Sequence, residues 1–191
     1  MLELIAGLLI FLGLHSVRVF ADGWRSRQIA RLGDKGWKLS YTVLSLLGFA
    51  LIIHGYGQAR LAQVVLWQPL PGMNHLAALL TLVAFILLAA AYVPGNQIKA
   101  RLGHPMLLGT KTWALAHLLA NNTLADVLLF GGFLLWAVLC FRSSRQRDRA
   151  AGLVRPAGTR GRTLVAIEVG GVAWALFAFW GHQALIGIRP L

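Results

Sequence analysis

Residues 2–20 read LELIAGLLIFLGLHSVRVF. The run is close to the ~20 residues that a helix needs to cross ~30 Å of hydrocarbon, yet it carries an imidazole at His15 and a guanidinium at Arg18. Working outward, similar apolar runs recur at Leu39–Gly57, Asn74–Val93, His104–Asn121, Thr123–Phe141 and Thr163–Gly187. A chain of 191 residues that is 58% hydrophobic, with mean hydropathy +0.68, has more apolar surface than a soluble domain can hide. The pattern predicts an all-α, polytopic membrane helical bundle of about six transmembrane helices, built as one domain over residues 1–191. The break at Asn121-Asn122-Thr123 reads as one kinked helix or as two helices joined by a tight turn; Asn and Thr suit the turn and N-cap better than a helix interior.

Charge orders these runs. The net charge is +12, but the basic residues are bunched between apolar runs and not interleaved with aromatics, which argues for topology and against nucleic-acid binding. Of the 18 Lys and Arg residues, all but Arg60 and Arg189 fall on one side if two crossings separate Lys99 from Arg142. The positive-inside rule then makes that side cytoplasmic and puts both termini outside, as in a multi-pass protein of a bacterial inner membrane. Nothing basic precedes Arg18 and no small-residue cleavage site follows the first run, so no cleavable signal is expected. The lone Cys140 excludes an internal disulfide framework and a Cys-rich metal site. The arginine-rich segment 142–162, mixed with Ser, Gly and Pro, is expected to be a mobile cytoplasmic loop. No Walker-type loop, dinucleotide fingerprint or Ser-His-Asp set is present.

Polar groups inside hydrocarbon need partners. His15 and Arg18 share a helix face. Arg18 can be a snorkelling anchor at the helix end, and His15 can be a neutral imidazole bonded to a neighbouring helix or a ligand. In the segment Gly103-His104-Pro105-Met106, Pro105 suits the first helical position with His104 near the cap. The free amides of that turn, with Lys99, Arg101 and Lys111 nearby, form either a small anion site or only a well-made helix start. Trp113, His117 and Asn121 follow at four-residue steps and make one polar-aromatic stripe, expected to face the bundle interior. His54 and His182 lie towards the outer helix ends and His75 beside a loop. Glu168 is expected to pair with Arg18 or a loop arginine, or to accept from His15 or His104; Asp126 reads as a first-turn acid. Trp24, Trp37, Trp67 and Trp180 fit interfacial belts.

Catalytic zinc wants three protein ligands, and a proton relay wants carboxylates, which are scarce here. Haem b suits the inventory best. Its macrocycle dissolves among Leu, Ala and Gly, histidines supply axial ligands, and arginine or helix-end amides neutralise propionates.

His15-Ser16 with Arg18, and His104-Pro105-Met106 with Gly109, Trp113, Ala116-His117 and Asn121, resemble the NnrU family and, through it, the plant-type 15-cis-zeta-carotene isomerase. The resemblance runs over nearly the whole chain in helix order. It implies haem b ligation at His15 and His117, with Arg18, His104, Trp113 and Asn121 around them, and a role in nitrite and nitric oxide respiration beside the reductases of denitrification. Three positions depart from the pattern. Ala114 stands where the isomerase has a cysteine, Gly103 where an arginine commonly precedes the His-Pro pair, and the acid-poor 142–162 segment where a basic-acidic motif follows the fifth helix.

In the expected topology His15 lies on the cytoplasmic side of its helix centre and His117 on the outer side, a depth difference of ~12 Å at ~1.5 Å per residue. Depth alone would favour His54 or His182 as the partner of His117; the resemblance favours His15. Two other readings stay open. One is an enzyme acting on an isoprenoid or lipid through His117. The other is a non-enzymatic assembly protein whose basic loops dock a partner or anionic lipid.

Overall fold

The computed structural model describes residues 1–190. The helices are α1 (Leu2–Phe20), α2 (Asp22–Leu61), α3 (Met73–Tyr92), α4 (Gln97–Leu102), α5 (Pro105–Ala120), α6 (Leu124–Ala150) and α7 (Arg160–Leu176), followed by a π-turn (Phe177–Gly181) and α8 (His182–Ile186). Among the described residues no strand forms beyond two isolated bridges, Val65 with Thr123 and Asn96 with Thr159.

Five helical runs are long and apolar enough to cross a membrane: α1, α2, α3, α6 and Arg160–Ile186. Their outward faces carry Leu9, Leu47, Leu79, Leu135 and Val172, all exposed, as lipid-facing helices require. The chain is thus an all-α membrane protein. The remaining expected crossing, α5, has 16 residues and reaches only ~24 Å at 1.5 Å per residue. Pro105 starts it and the extended Asn121 stops it, so the same punctuation that marks its ends in the sequence keeps it short.

Two other elements differ from expectation. Helix α2 begins at Asp22, ahead of the predicted span at Leu39, and runs through the basic segment with a break at Gly33 (φ 71°), a left-handed conformation that favours glycine. Helix α6 continues to Ala150, so the predicted 142–162 loop is helical over 142–150. No Gly or Pro interrupts 142–150. Arg147 spans one turn to bond Ser143 Oγ at 2.6 Å and Ser144 Oγ at 3.0 Å, so its polar residues support the helix locally.

The chain packs as two compact units, residues 1–67 with 122–140, and residues 68–121 with 141–190. In the first, α1 lies against α2 at backbone distance. A Cβ on Gly7 would stand 2.6 Å from Ile52 N, and one on Gly55 would overlap the backbone of Leu4. Small residues allow this approach where no water drives helices together. Leu4 is 0% exposed there, and Leu8, Leu129 and Phe130 complete the core. One end is clipped by short β-like pairing, with Leu66 N donating to Asn122 O at 2.9 Å and Leu124 N to Val64 O at 2.9 Å.

In the second unit α3 packs against both α5 and α7. A Cβ on Gly109 would meet Ala84 O at 3.0 Å, and one on Gly170 would meet Ile86 Cα at 2.5 Å. The turn after α3 is held by Asn96, 1% exposed, whose Nδ2 donates to Ala90 O (2.8 Å) and Val93 O (2.5 Å) while its Oδ1 caps α4 at Lys99 N (2.7 Å). Every polar atom of this buried amide is thereby used, as hydrocarbon demands.

Candidate functional site

The first unit builds its polar centre around His15. The ring Nδ1–H donates to Phe11 O, one turn back, at 2.7 Å. A carbonyl oxygen only accepts, so in the neutral ring the proton sits on Nδ1 and the lone pair on Nε2. Aromatic rings surround the imidazole. Phe11 stacks at 4.2 Å between centroids, while Tyr41 and Trp136 stand edge-on at 5.2 Å and 6.2 Å. Trp136 Nε1 is buried without a hydrogen-bond partner, and so is Ser45 Oγ, one turn from Tyr41 on the same face of α2. Unsatisfied buried donors cost about 1–3 kcal/mol each, and Trp136 carries one of the two on a ring that stands edge-on to the preset imidazole.

A cleft of about 420 Å³ opens beside this centre, lined by His15, Arg18, Arg25, Trp37, Lys38 and Tyr41. Its size lies within the ~300–1,000 Å³ of small-molecule sites. The break at Gly33 turns the start of α2 back, which is how Arg25 and Asp34 come to line one cleft with Arg18. Two of the sequence-derived residues, His15 and Arg18, therefore meet as expected. Trp37, assigned to an interfacial belt, lines this cleft and stands edge-on to Trp24 at 6.0 Å.

In the second unit His117 repeats the arrangement. Its Nδ1–H donates to Trp113 O at 2.9 Å, with the indole and imidazole centroids 5.1 Å apart. Asn121 Nδ2 donates to His117 O at 2.8 Å. Trp113 and His117 share a face of α5, whereas Asn121 is the extended residue that ends the helix and serves its backbone, not the imidazole. Here too the lone pair lies on Nε2. His15 belongs to the first unit and His117 to the second.

His104 is engaged elsewhere. It sits at the N-cap of α5, at the far end of that helix from His117 and ~20 Å away at 1.5 Å per residue, so the structure does not bring these two together. Its Nε2–H donates to Asp148 Oδ2 at 2.8 Å, and Arg155 Nη2 donates to the same oxygen at 2.5 Å. Asp148 lies beyond Phe141 in the polar extension of α6. The Arg155 hydrogen bond is the largest influence and holds its carboxyl below the usual carboxylate range; burial opposes it, and the His104 hydrogen bond adds to the lowering. The expected acid for this role, Glu168, is instead exposed on α7.

The profile of the NnrU protein family matches residues 3–190. The chain belongs to the NnrU family. No curated protein and no solved structure gives a match. The family match runs through both units of this NnrU chain, so the His15 centre and the α5 stripe both belong to the family's domain.

Sequence reasoning missed Tyr41, Ser45 and Trp136. A usable signal existed for Trp136, which lies inside an apolar run and not at a membrane interface, where tryptophan gathers. It also missed a second buried polar cluster, at the clipped end of the first unit. Asp126, 5% exposed, accepts from Tyr56 OH on Oδ1 (2.5 Å) and from Thr123 N (3.0 Å) and Thr123 Oγ1 (2.6 Å) on Oδ2. The first-turn acid is present as read, and its partner Tyr56 comes from another helix. Among the described residues no three His, Cys, Asp or Glu side chains gather as a metal site.

Proposed function

We propose that this NnrU-family membrane protein binds haem b, with His15 and His117 as the iron-ligating imidazoles, and supports nitrite and nitric oxide respiration in a bacterial inner membrane. The observation that carries the reading is the preset state of both rings. Each Nδ1–H is spent on a carbonyl of its own helix, which orients the ring and leaves Nε2 as the basic nitrogen, the arrangement typical of metal-bound histidine. The residues around His15 fit such a group. The aromatic rings offer an apolar wall, the orphaned Trp136 Nε1 and Ser45 Oγ are donors awaiting an acceptor, and Arg18, Arg25 and Lys38 can meet propionates in the adjoining cleft.

When bound, the haem would supply one-electron or diatomic-gas chemistry. The chain's own part is to hold the imidazoles oriented through their Nδ1 bonds, to exclude water with Phe11, Tyr41 and Trp136, and to offset propionate charge. The respiratory role rests on the family relationship. The proposed topology keeps both termini outside the cytoplasm, with the basic segments inside.

An absorption spectrum of the detergent-purified protein in both oxidation states tests the proposal. A Soret band that survives washing and disappears in His15→Ala and in His117→Ala is expected. A colourless wild-type protein expressed with ample haem overturns it.

A further inference from the structure

We propose that the recess formed by Gln97, Arg101 and Arg155 in the second unit holds the phosphate of an anionic phospholipid, beside Leu153 and Val154 set into the membrane interface. The recess, about 280 Å³, is lined by these three residues with Ala100, Ala157 and Gly158. Its walls are α4 and the irregular strap 151–159, and that strap is firmly attached. Thr159 N donates to Gly95 O at 2.8 Å, Gln97 N donates to Thr163 Oγ1 at 2.9 Å, and Gly158 lies so close to the Asn96 backbone that a Cβ would overlap it.

The guanidinium of Arg155 is positioned. Asp148 holds its Nη2, and Gly103 admits it, since a Cβ there would stand 3.0 Å from the guanidinium. A guanidinium carries five N–H donors, and the Asp148 bond uses one. Lys99 turns its ammonium away to Ala91 O at 2.7 Å. The charged groups at the recess are then two guanidinium ions and the Asp148 carboxylate under one of them. The balance is a single positive charge, matched to the net single negative charge of a headgroup such as phosphatidylglycerol and not to the net-neutral headgroup of phosphatidylcholine.

The apolar neighbours decide between a lipid and a soluble phosphate. Val154 is 88% exposed and Leu153 53% exposed, in the middle of a basic strap, and Leu102 at the end of α4 is 38% exposed. A dissolved anion has no use for these side chains; an acyl chain beside the headgroup covers them. Basic recesses at the cytoplasmic ends of membrane helices recognise headgroups by this combination. The proposal does not depend on haem.

Native mass spectrometry tests it, using the full protein equilibrated with equal phosphatidylglycerol and phosphatidylcholine in detergent. Wild type is expected to retain phosphatidylglycerol preferentially, and loss of one guanidinium to weaken that preference about fivefold. Arg101→Gln is the primary variant because Arg101 takes no part in the Asp148 contact, and Arg155→Gln is the second. Paired Leu153→Ser and Val154→Ser should also reduce retention, whereas Arg27→Gln, an equal charge loss in the first unit, should not. Equal retention of the two lipids overturns the proposal, as does unchanged preference in Arg101→Gln. Displacement of the lipid by millimolar inorganic phosphate would assign the recess to a soluble anion and overturn it as well.

Discussion

Two hydroxyls separate bonded from unbonded polar groups in the first unit. Tyr56 OH is bonded to the buried Asp126 carboxylate, whereas Ser45 Oγ has no partner. Removing a bonded partner leaves the other group unsatisfied and costs about 1–3 kcal/mol. Tyr56→Phe is therefore expected to lower the melting temperature of the detergent-solubilised protein. Removing a hydroxyl that bonds nothing loses no interaction, so Ser45→Ala should be neutral or stabilising in haem-free protein. A melting temperature lowered as much by Ser45→Ala as by Tyr56→Phe would contradict this assignment. The imidazoles at His15 and His117 could be picked out of the sequence because a lone polar residue in an apolar run stands out. Ser45, Tyr41 and Trp136 could not be joined to His15 in advance, since they arrive from other helices and no spacing along the chain encodes that meeting.

At the scale of elements, glycine and charge decide where helices bend and where segments attach. Gly103 has φ 80° and sits against the Arg155 guanidinium. Gly103→Ala adds left-handed strain of roughly 1–2 kcal/mol and displaces the arginine, so faster hydrogen exchange in residues 151–158 is expected. The same segment should respond to acid. The Asp148 carboxyl is held below its unfolded value, so the stabilisation is complete above the ordinary carboxylate range and is lost as pH falls through the depressed value. Exchange protection of the strap should drop in acid below pH ~4 in wild type, and Asp148→Asn should be poorly protected at every pH. Retained acid sensitivity in Asp148→Asn would show that another group is responsible. The start and stop of α5 were legible in His104-Pro105 and Asn121-Asn122-Thr123. The continuation of α6 through its arginines was not, because solubility and helicity are separate properties: a charged segment without Gly or Pro stays helical when its side chains bond within one turn.

For the whole molecule, the number of crossings turns on α5. Five runs satisfy the length of a bilayer. If the short α5 also crosses, both termini lie outside the cytoplasm; if it does not, they lie on opposite sides. Alkaline phosphatase fused after Leu191 is expected to be active in the periplasm, with β-galactosidase fused there inactive, and the reverse result would remove α5 from the set of crossings. By itself the sequence determined the membrane class, the all-helical architecture, the family and the segregation of basic residues. The family follows from the motif residues around His15 and along His104–Asn121; the rest follows from composition and periodicity, which act locally and survive any arrangement of helices. Only the tertiary structure decided that Asp148 and not Glu168 answers His104, that Trp136 stands unsatisfied near His15, and that Arg101 and Arg155 share a recess. Each of these depends on which faces of separate elements are brought together, and that depends on packing in three dimensions, not on order along the chain.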